Sequence, residues 1–128
     1  MSKSLVGKQV IEYAKKLQEK GAQNVLVSMG NKGAIFLDEN GYLYTLKINN
    51  KNKKINTVGA GDSMVAGFIA GYKNFNNYEK ALKMGVAAGT ATANSMFLAT
   101  EKEIFNFFYI LNKEENNENY RFVKKRLY

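Results

Sequence analysis

The fold is decided by one stretch of sequence, Asn56-Thr57-Val58-Gly59-Ala60-Gly61-Asp62-Ser63. Two glycines stand two residues apart before a predicted helix, so the backbone can turn sharply and direct successive N–H groups at one point. The first N–H groups of a helix have no partner inside it, and the helix dipole is positive at that end. The stretch therefore predicts an anion hole for a phosphate at Gly59, Ala60 and Gly61. The spacing and lysine of a Walker A loop are absent.

Asp62 allows two interpretations. An aspartate at a helix start is commonly an N-cap, which stabilises the helix by about 1 kcal/mol. A carboxylate inside an anion-binding turn would, however, compete with the phosphate, unless it serves the incoming nucleophile. A hydroxyl that attacks a terminal phosphoryl group needs an acceptor for its proton, and aspartate has that role in other phosphotransferases. The residues alone leave cap and base equally supported.

A second glycine-bearing turn is Ser28-Met29-Gly30-Asn31-Lys32-Gly33, which connects two predicted strands. Glycines at these positions are typical of a structural hairpin. Alternatively, the N–H groups of this turn and the Lys32 ammonium face the phosphates of a nucleotide. A single GxxG spacing does not distinguish these interpretations.

The remainder of the 128 residues predicts one α/β domain. Apolar residues at helical or alternating spacing, together with turn residues, define the elements. These are helices at 4–20, 62–73, 78–97 and 101–111, and strands at 24–29, 34–37, 42–48 and 120–123, with a tight turn at 38–41. Residues 49–54 and 112–119 are predicted loops, and the order of the tail from 112 to 128 is left open. Small residues recur in the second and third helices, which indicates close helix packing or a wall that a planar ligand approaches.

Composition excludes several kinds of site. The chain has neither cysteine nor histidine, so it cannot itself form a disulfide, a thiol nucleophile, a Cys/His zinc site or a Ser-His-Asp triad. The net charge is +8, but the surplus is mostly lysine, which is typical of a solvated surface rather than of a sequence-specific nucleic-acid reader. Neither a signal peptide nor a membrane span is evident, which predicts a cytoplasmic protein that binds neither membrane nor nucleic acid.

Three segments together resemble one protein family. The run from Thr57 to Gly67 is similar to the C-terminal signature of the ribokinase-like (PfkB) carbohydrate kinases, and its sequence most resembles that of the 1-phosphofructokinase branch. The strand and turn from Val25 to Ala34 and the helix from Gly85 to Ala93 resemble the segments that flank this signature. The resemblance covers about residues 5–111. It implies the C-terminal portion of a three-layer α/β/α sandwich that uses ATP and Mg²⁺.

The resemblance also implies a reaction and a role for each matched residue. The reaction would be phosphoryl transfer from ATP to the 6-hydroxyl of fructose 1-phosphate, which gives fructose 1,6-bisphosphate. Asp62 would be the base, and the N–H groups around Ala60, Gly61 and Asp62 would hold the transferring phosphoryl group. The face of the third predicted helix near Ala88 would form one wall of the adenine site. No side chain is expected to ligate a metal directly. The implied ATP-binding set is Ser28, Met29, Gly30, Asn31, Lys32, Gly33, Gly61 and Asp62.

Two departures from the family pattern change the expectations. Asn56 stands where many members carry aspartate, at a position that helps to hold a monovalent cation in potassium-using relatives, so no such requirement is expected. Members are also more than twice as long, and their N-terminal half supplies the sugar-phosphate site and its lid. We therefore expect an ATP-binding portion with little activity alone, whose partners are ATP, a sugar phosphate, the N-terminal half and, as a further option, another copy of itself.

Three alternatives stay open. The substrate could belong to another sugar-phosphate kinase, such as tagatose-6-phosphate kinase. A non-catalytic basic module would instead bind RNA or a partner through Lys51, Lys53, Lys54 and the run from Lys124 to Arg126. A regulatory or assembly fragment would dock onto a separate half, and an exposed apolar sheet face would indicate it.

Overall fold

The computed structural model describes residues 3–49, 59–93, 100–113 and 119–128. Within these ranges four helices and four strands correspond to the predicted elements, with shifts at their ends. Their bounds are α1 Lys3–Glu19, β1 Val25–Ser28, β2 Gly33–Leu37, β3 Tyr42–Ile48, α2 Ala60–Phe75, α3 Tyr78–Ala93, α4 Glu101–Lys113 and β4 Tyr120–Arg126. A single 3-10 turn, Gly30–Lys32, joins β1 to β2.

The four strands form one antiparallel sheet in the order β1-β2-β3-β4. The hairpin between β2 and β3 is confirmed at Asp38, whose carboxylate accepts hydrogen bonds from the N–H groups of Asn40 (2.8 Å) and Tyr42 (3.0 Å). The other carboxylate oxygen accepts the Tyr44 hydroxyl at 2.9 Å. This buried aspartate therefore fixes the turn and the start of β3.

Helices cover both faces of the sheet. On one face Ile35 and Leu37 pack with Ala14 of α1. On the other face Ala34 and Phe36 belong to a core shared with α2, α3 and α4. Every residue of β2 is consequently buried, as expected for a strand with helices on both sides. The predicted three-layer α/β/α arrangement is confirmed, and the tail contributes the edge strand β4 rather than a loose end.

Close packing explains the small residues of α2 and α3. A Cβ atom added at Gly67 would lie 2.8 Å from the Ala88 Cβ, and one added at Gly71 would lie 2.9 Å from the Met84 Cβ. Real Cβ atoms do not approach this closely, so these glycines allow the two helices to touch. The packing interpretation is confirmed. Ala88 is buried against α2, so the expected adenine wall does not lie on that face of α3.

Several predicted boundaries are corrected. The helix predicted at 62–73 begins at Ala60, because Gly59 adopts the left-handed conformation (φ 80°) and becomes the N-cap. Asn112 and Lys113 belong to α4 rather than to a loop. The predicted loop residues 50–54 and 114–118, and the predicted helix end at 94–97, lie outside the described residues. No described helix combines the length and the apolar character that crossing a bilayer requires.

Candidate functional site

The N-terminus of α2 carries backbone N–H groups without helical acceptors. The first hydrogen bond of the helix runs from the Ser63 N–H to the Gly59 carbonyl, at 2.9 Å. The N–H groups of Ala60, Gly61 and Asp62 precede it and therefore have no acceptor inside the helix. They point out of the positive end of the helix dipole. Of the three residues at which the sequence predicted an anion hole, Ala60 and Gly61 contribute such N–H groups, whereas Gly59 is the N-cap, whose carbonyl accepts the first helical hydrogen bond.

Asp62 is the third residue of this helix and is exposed. The N-cap position belongs to Gly59, and no side chain makes a capping hydrogen bond there. The capping interpretation of Asp62 is therefore wrong. Among the described residues the Asp62 carboxylate has neither a hydrogen-bond partner nor an ion-pair partner. It remains free to interact with a molecule outside the chain.

Gly61 has no structural reason within α2 to be a glycine. Its φ is not positive, and a Cβ atom added there would meet no atom of the described residues within 4 Å. Glycine is less favourable than alanine in a helix by about 1 kcal/mol in an interior position. Gly7 of α1 also faces open space, so openness alone does not indicate a ligand. At Gly61 the open space adjoins the three N–H groups, which is where a bound anion would need room.

Two contacts with α3 hold the first turn of α2, and sequence reasoning missed both. The Thr92 hydroxyl donates a hydrogen bond to the Ser63 hydroxyl at 3.0 Å. A Cβ atom added at Gly89 would lie 3.1 Å from the Ala60 carbonyl oxygen, so Gly89 lets α3 approach the turn. The small residues of α3 signalled close packing but not which turn they would support. These contacts fix the direction in which the N–H groups point.

The turn from Ser28 to Gly33 has a structural explanation. The Ser28 hydroxyl accepts the Gly30 N–H at 3.3 Å, and Gly30 has a φ of 62°. Gly33 has a φ of 108°, and a Cβ atom there would lie 1.9 Å from the Leu46 carbonyl oxygen. Lys32 is exposed, and the Asn31 side chain is outside the description. The structural hairpin therefore explains why both positions are glycine. The exposed Lys32 remains available to a ligand.

Both glycine turns lie at the same end of the sheet. Phe68 of α2 packs on Phe36 of β2, with ring centroids 4.6 Å apart. Beyond the C-terminus of α2, the Tyr78 hydroxyl donates a hydrogen bond to the carboxylate of Glu39, which follows β2, at 2.9 Å, so α2 runs in the same direction as β2. From the contact between Phe68 and Phe36, the first turn of α2 lies about 9 Å back along the helix. Gly33 lies about 10 Å back along the strand, in the same direction.

A pocket of about 230 Å³ opens at this end of the sheet. Residues from the C-terminal part of β3, from α3 and α4, and from the start of β4 line it: Ile48, Asn49, Thr90, Phe107, Ile110, Leu111, Asn119 and Tyr120. The C-terminus of β3 lies at the same end of the sheet as Gly33, because Lys47 pairs with Gly33. Thr90 reaches the pocket from a face of α3 other than the Ala88 face. The pocket is therefore a candidate for a flat apolar ligand group.

Charge elsewhere does not build a metal site in the described ranges. Three or more acidic side chains do not cluster anywhere among them in a way that could hold a metal ion. Lys124 lies over the rings of Tyr42 (4.7 Å) and Tyr44 (5.1 Å), and Arg126 lies 5.2 Å from the Tyr42 ring. These basic groups are thus partly used within the chain. Lys51, Lys53 and Lys54, like Asn56, lie outside the described residues.

Comparison with known proteins places these features in one family. The pfkB family carbohydrate kinase model matches residues 3–102. Over 95 residues the chain is 45% identical to a 1-phosphofructokinase of Bacillus subtilis, covering 73% of this chain and 30% of that protein. Over 93 residues it is 38% identical to a D-tagatose-1-phosphate kinase of Bacillus licheniformis, again covering 73% and 30%.

The fold is shared with solved structures. A crystal structure from Staphylococcus aureus, of a protein assigned as a phosphofructokinase, superposes with a TM-score of 0.76 at 35% identity. The match covers 98% of this chain and 36% of that one. The chain therefore has the architecture of part of a ribokinase-like sandwich, and it spans about 30% of the length of the curated relatives it matches.

Proposed function

Because this chain belongs to the pfkB family of carbohydrate kinases, we propose that it is the ATP-binding portion of a sugar-phosphate kinase. The proposed reaction transfers the terminal phosphoryl group of ATP to the 6-hydroxyl of fructose 1-phosphate and gives fructose 1,6-bisphosphate. The relatives named 1-phosphofructokinase favour this substrate, and the relative named D-tagatose-1-phosphate kinase keeps a second ketose phosphate as the alternative. A cytoplasmic location is part of the proposal.

The observation that carries the proposal is the first turn of α2. Three N–H groups without helical acceptors adjoin open space at Gly61, and the free carboxylate of Asp62 lies beside them. The N–H groups would stabilise charge on the transferring phosphoryl group, which is the main task of a protein in a loose transition state. Asp62 would accept the proton of the attacking hydroxyl. The exposed Lys32 ammonium would face the other phosphates. The N–H groups of Met29, Gly30, Lys32 and Gly33 instead donate hydrogen bonds within their own turn, so the predicted role of these N–H groups in phosphate binding is not part of the proposal.

The described residues fit the cofactors in different ways. Orphan N–H groups at a helix N-terminus are donors that a phosphate accepts, so the site fits ATP, which supplies the transferable group when bound. Magnesium prefers few protein carboxylates together with phosphate oxygens. Asp62 is the acidic side chain at this turn, and the ion would be held chiefly by the nucleotide. The pocket that includes Thr90 would receive the base of the nucleotide.

The proposal is tested with Asp62→Asn, which keeps the shape of the side chain and removes its basicity. Calorimetry on this chain should show ATP binding that changes less than about threefold in the variant, because the N–H groups are intact. Turnover is measured by coupled ADP release after adding the N-terminal portion of the Bacillus subtilis relative. General-base catalysis contributes roughly 10²–10⁴-fold, so the variant should lose about that factor. Unchanged turnover would exclude Asp62 as the base.

A substrate panel resolves the acceptor. Fructose 1-phosphate, tagatose 1-phosphate and tagatose 6-phosphate are compared by kcat/KM in the same assay. A basic binding module would instead show nucleic-acid binding that falls steeply with salt and that Asp62→Asn leaves intact.

A further inference from the structure

The α1 side of the sheet is only partly covered. Residues that pair directly across two strands lie on the same face of a sheet. Leu37 pairs with Leu43, and both are buried in one cluster with Ala14 of α1. Farther along β3 on this side, Thr45 is only partly buried, and its partner on β4, Val123, is 43% exposed. The α1 side of β3 and β4 is therefore open over much of its length.

This open part of the sheet carries three cations. Lys47 of β3 pairs with Arg121 of β4, and Lys125 pairs with Leu43 on the same side. All three cationic side chains are exposed, and neither β3 nor β4 contains an acidic residue. The ion pairs found in the described part of the chain involve other lysines. We call the surface formed by Lys47, Arg121 and Lys125 the basic face.

The direct pairing of Lys47 with Arg121 has a cost. Side chains at directly opposite positions have Cβ atoms about 4.5–5.5 Å apart, and like charges there destabilise a sheet. Protection of an edge strand against pairing accounts for the charge on β4. It does not account for Lys47, because β3 is an inner strand that pairs with β2 and β4. An anion bound between the two cations would offset this cost.

Cations on the opposite side of the sheet have partners within the chain. Lys124 lies 5.1 Å from the centre of the Tyr44 ring, and Lys83 lies 5.2 Å from that of Phe122. Lys83 also forms an ion pair with Glu79 at 2.8 Å. The three cations of the basic face make neither kind of contact with the residues that the structure describes. Their charge is available to a molecule outside the chain.

We propose that the basic face is a docking surface for an extended acidic segment of another polypeptide. Arg121 and Lys125 are four residues apart on one strand, which places them about 13 Å apart, with Val123 midway. An extended segment that lies along β4 has the same repeat, so carboxylates four residues apart would meet both cations. An apolar residue midway between those carboxylates would pack on Val123. Arginine suits this partner because its guanidinium binds a carboxylate through two parallel hydrogen bonds.

The side chains of this surface favour a polypeptide over a nucleic acid. Single-stranded nucleic acids stack their bases on aromatic rings, and the α1 side of β3 and β4 has none. Its side chains are those of Leu43, Thr45, Lys47, Arg121, Val123 and Lys125. An exposed valine among charged groups resembles a protein interface, in which a polar rim surrounds an apolar centre. A second copy of this chain would bring a net charge of +8, which opposes self-association.

The basic face is independent of the proposed kinase reaction. Two of its three cations lie on β4, beyond residues 3–102 that match the pfkB family model. The two arginines of the chain, Arg121 and Arg126, both belong to this strand. The face also lies on the side of the sheet opposite to α2, whose first turn carries the candidate site. Failure of ATP binding would therefore leave the basic face standing, and the reverse also holds.

The test uses a short fluorescent peptide in which glutamate and valine alternate at every second position, with threonine between them. Anisotropy is measured at low ionic strength, because salt screens exposed charges. The same peptide with glutamine in place of glutamate should bind at least tenfold more weakly. Arg121→Gln and Lys125→Gln should each weaken binding of the glutamate peptide at least threefold, since each removes a facing charge. The matched control is Lys73→Gln in the last turn of α2, which removes the same net charge and should change the affinity less than twofold.

Amide chemical shifts locate the contact and should change at residues 45–47 and 121–125 but not at 62–73. Urea titration verifies folding, and Arg121→Gln should raise the midpoint because it relieves the repulsion with Lys47. A lowered midpoint would assign Arg121 a structural role and remove the argument for the face. Absence of peptide binding, equal weakening by Lys73→Gln, or shifts confined to other residues would each overturn the proposal. Single-stranded RNA that binds more tightly than the peptide, and loses affinity in Arg121→Gln, would overturn the choice of partner.

Discussion

Gly61→Ala should stabilise the fold and weaken ATP binding at the same time. The backbone at Gly61 has a φ that alanine adopts, and within the described part of the chain the added methyl group meets no atom within 4 Å. Alanine is favoured over glycine by about 1 kcal/mol in a helix interior, and by less in the first turn, where few helical bonds depend on the residue. We therefore expect the free energy of unfolding to rise by about 0.5 kcal/mol in urea titrations followed by circular dichroism.

The same methyl group should obstruct the anion site. The Cα–Cβ bond of a helical residue tilts toward the helix N-terminus, which here is the side of the three N–H groups that have no acceptor inside the helix. With ATP at ten times its dissociation constant, binding should stabilise the wild-type chain by about 1.4 kcal/mol. A tenfold loss of affinity in Gly61→Ala would reduce this increment to about 0.4 kcal/mol. The measurement is the difference between urea titrations with and without ATP.

Gly67→Ala is the matched control, one and a half turns along the same helix. Its methyl group would lie 2.8 Å from the Ala88 Cβ and 2.9 Å from the Met84 carbonyl oxygen. Overpacking of this kind costs about 1–3 kcal/mol, so this variant should be less stable than the wild type. If Gly61→Ala is instead destabilised, some group occupies the space at the turn. If its ATP increment equals that of the wild type, phosphate does not bind there, and the reasoning about the anion hole is refuted.

Three further variants test the sheet. Gly33→Ala should lose more than about 3 kcal/mol of stability, because its φ and ψ (108°, −141°) favour glycine and its Cβ would lie 1.9 Å from the Leu46 carbonyl oxygen. Gly30→Ala has open space around its Cβ and a φ of 62°, so it should lose only about 1 kcal/mol. Similar losses for the two variants in urea titrations would contradict this explanation. Burial, with the Asp38 hydrogen bond as a second cause, raises the pKa of Tyr44 above its ordinary value of 10.0. A raised pKa in the folded state contributes stability that is complete below pH 10 and is lost as the pH rises further. Tyr44→Phe should therefore flatten the decline of the melting temperature at alkaline pH. An unchanged decline would exclude this contribution.

Local patterns predicted most of the fold. The turn residues from Asp38 to Gly41 gave the hairpin, because the buried carboxylate bonds that fix it are made within four residues of the chain. The α2 boundary was two residues late because glycine at position 59 can adopt either a turn or a cap conformation, and only the packed helix decides between them.

Long-range contacts were beyond the sequence. The hydrogen bond between Thr92 and Ser63 joins residues 29 positions apart, so no local pattern contains it. Likewise, the helical spacing of apolar residues predicted α2, but it could not show that Val65 and Ile69 are 50% and 61% exposed, because burial depends on contacts with distant elements. The sequence predicted that Asp62 lies at the start of α2. That it does not cap the helix became clear only from the backbone conformation of Gly59, which is the N-cap.

The candidate site and two exposed apolar side chains share one face of α2. Asp62, Val65 and Ile69 stand at positions i, i+3 and i+7, so they lie along the same side of the helix. A partner that covers Val65 and Ile69 would therefore border the Asp62 carboxylate, on the side from which an acceptor hydroxyl must arrive. Under the proposed function, the donors to the nucleotide phosphates would lie within this chain, while the acceptor would be held between Asp62 and the partner. This division explains why we expect the chain alone to bind ATP without appreciable turnover.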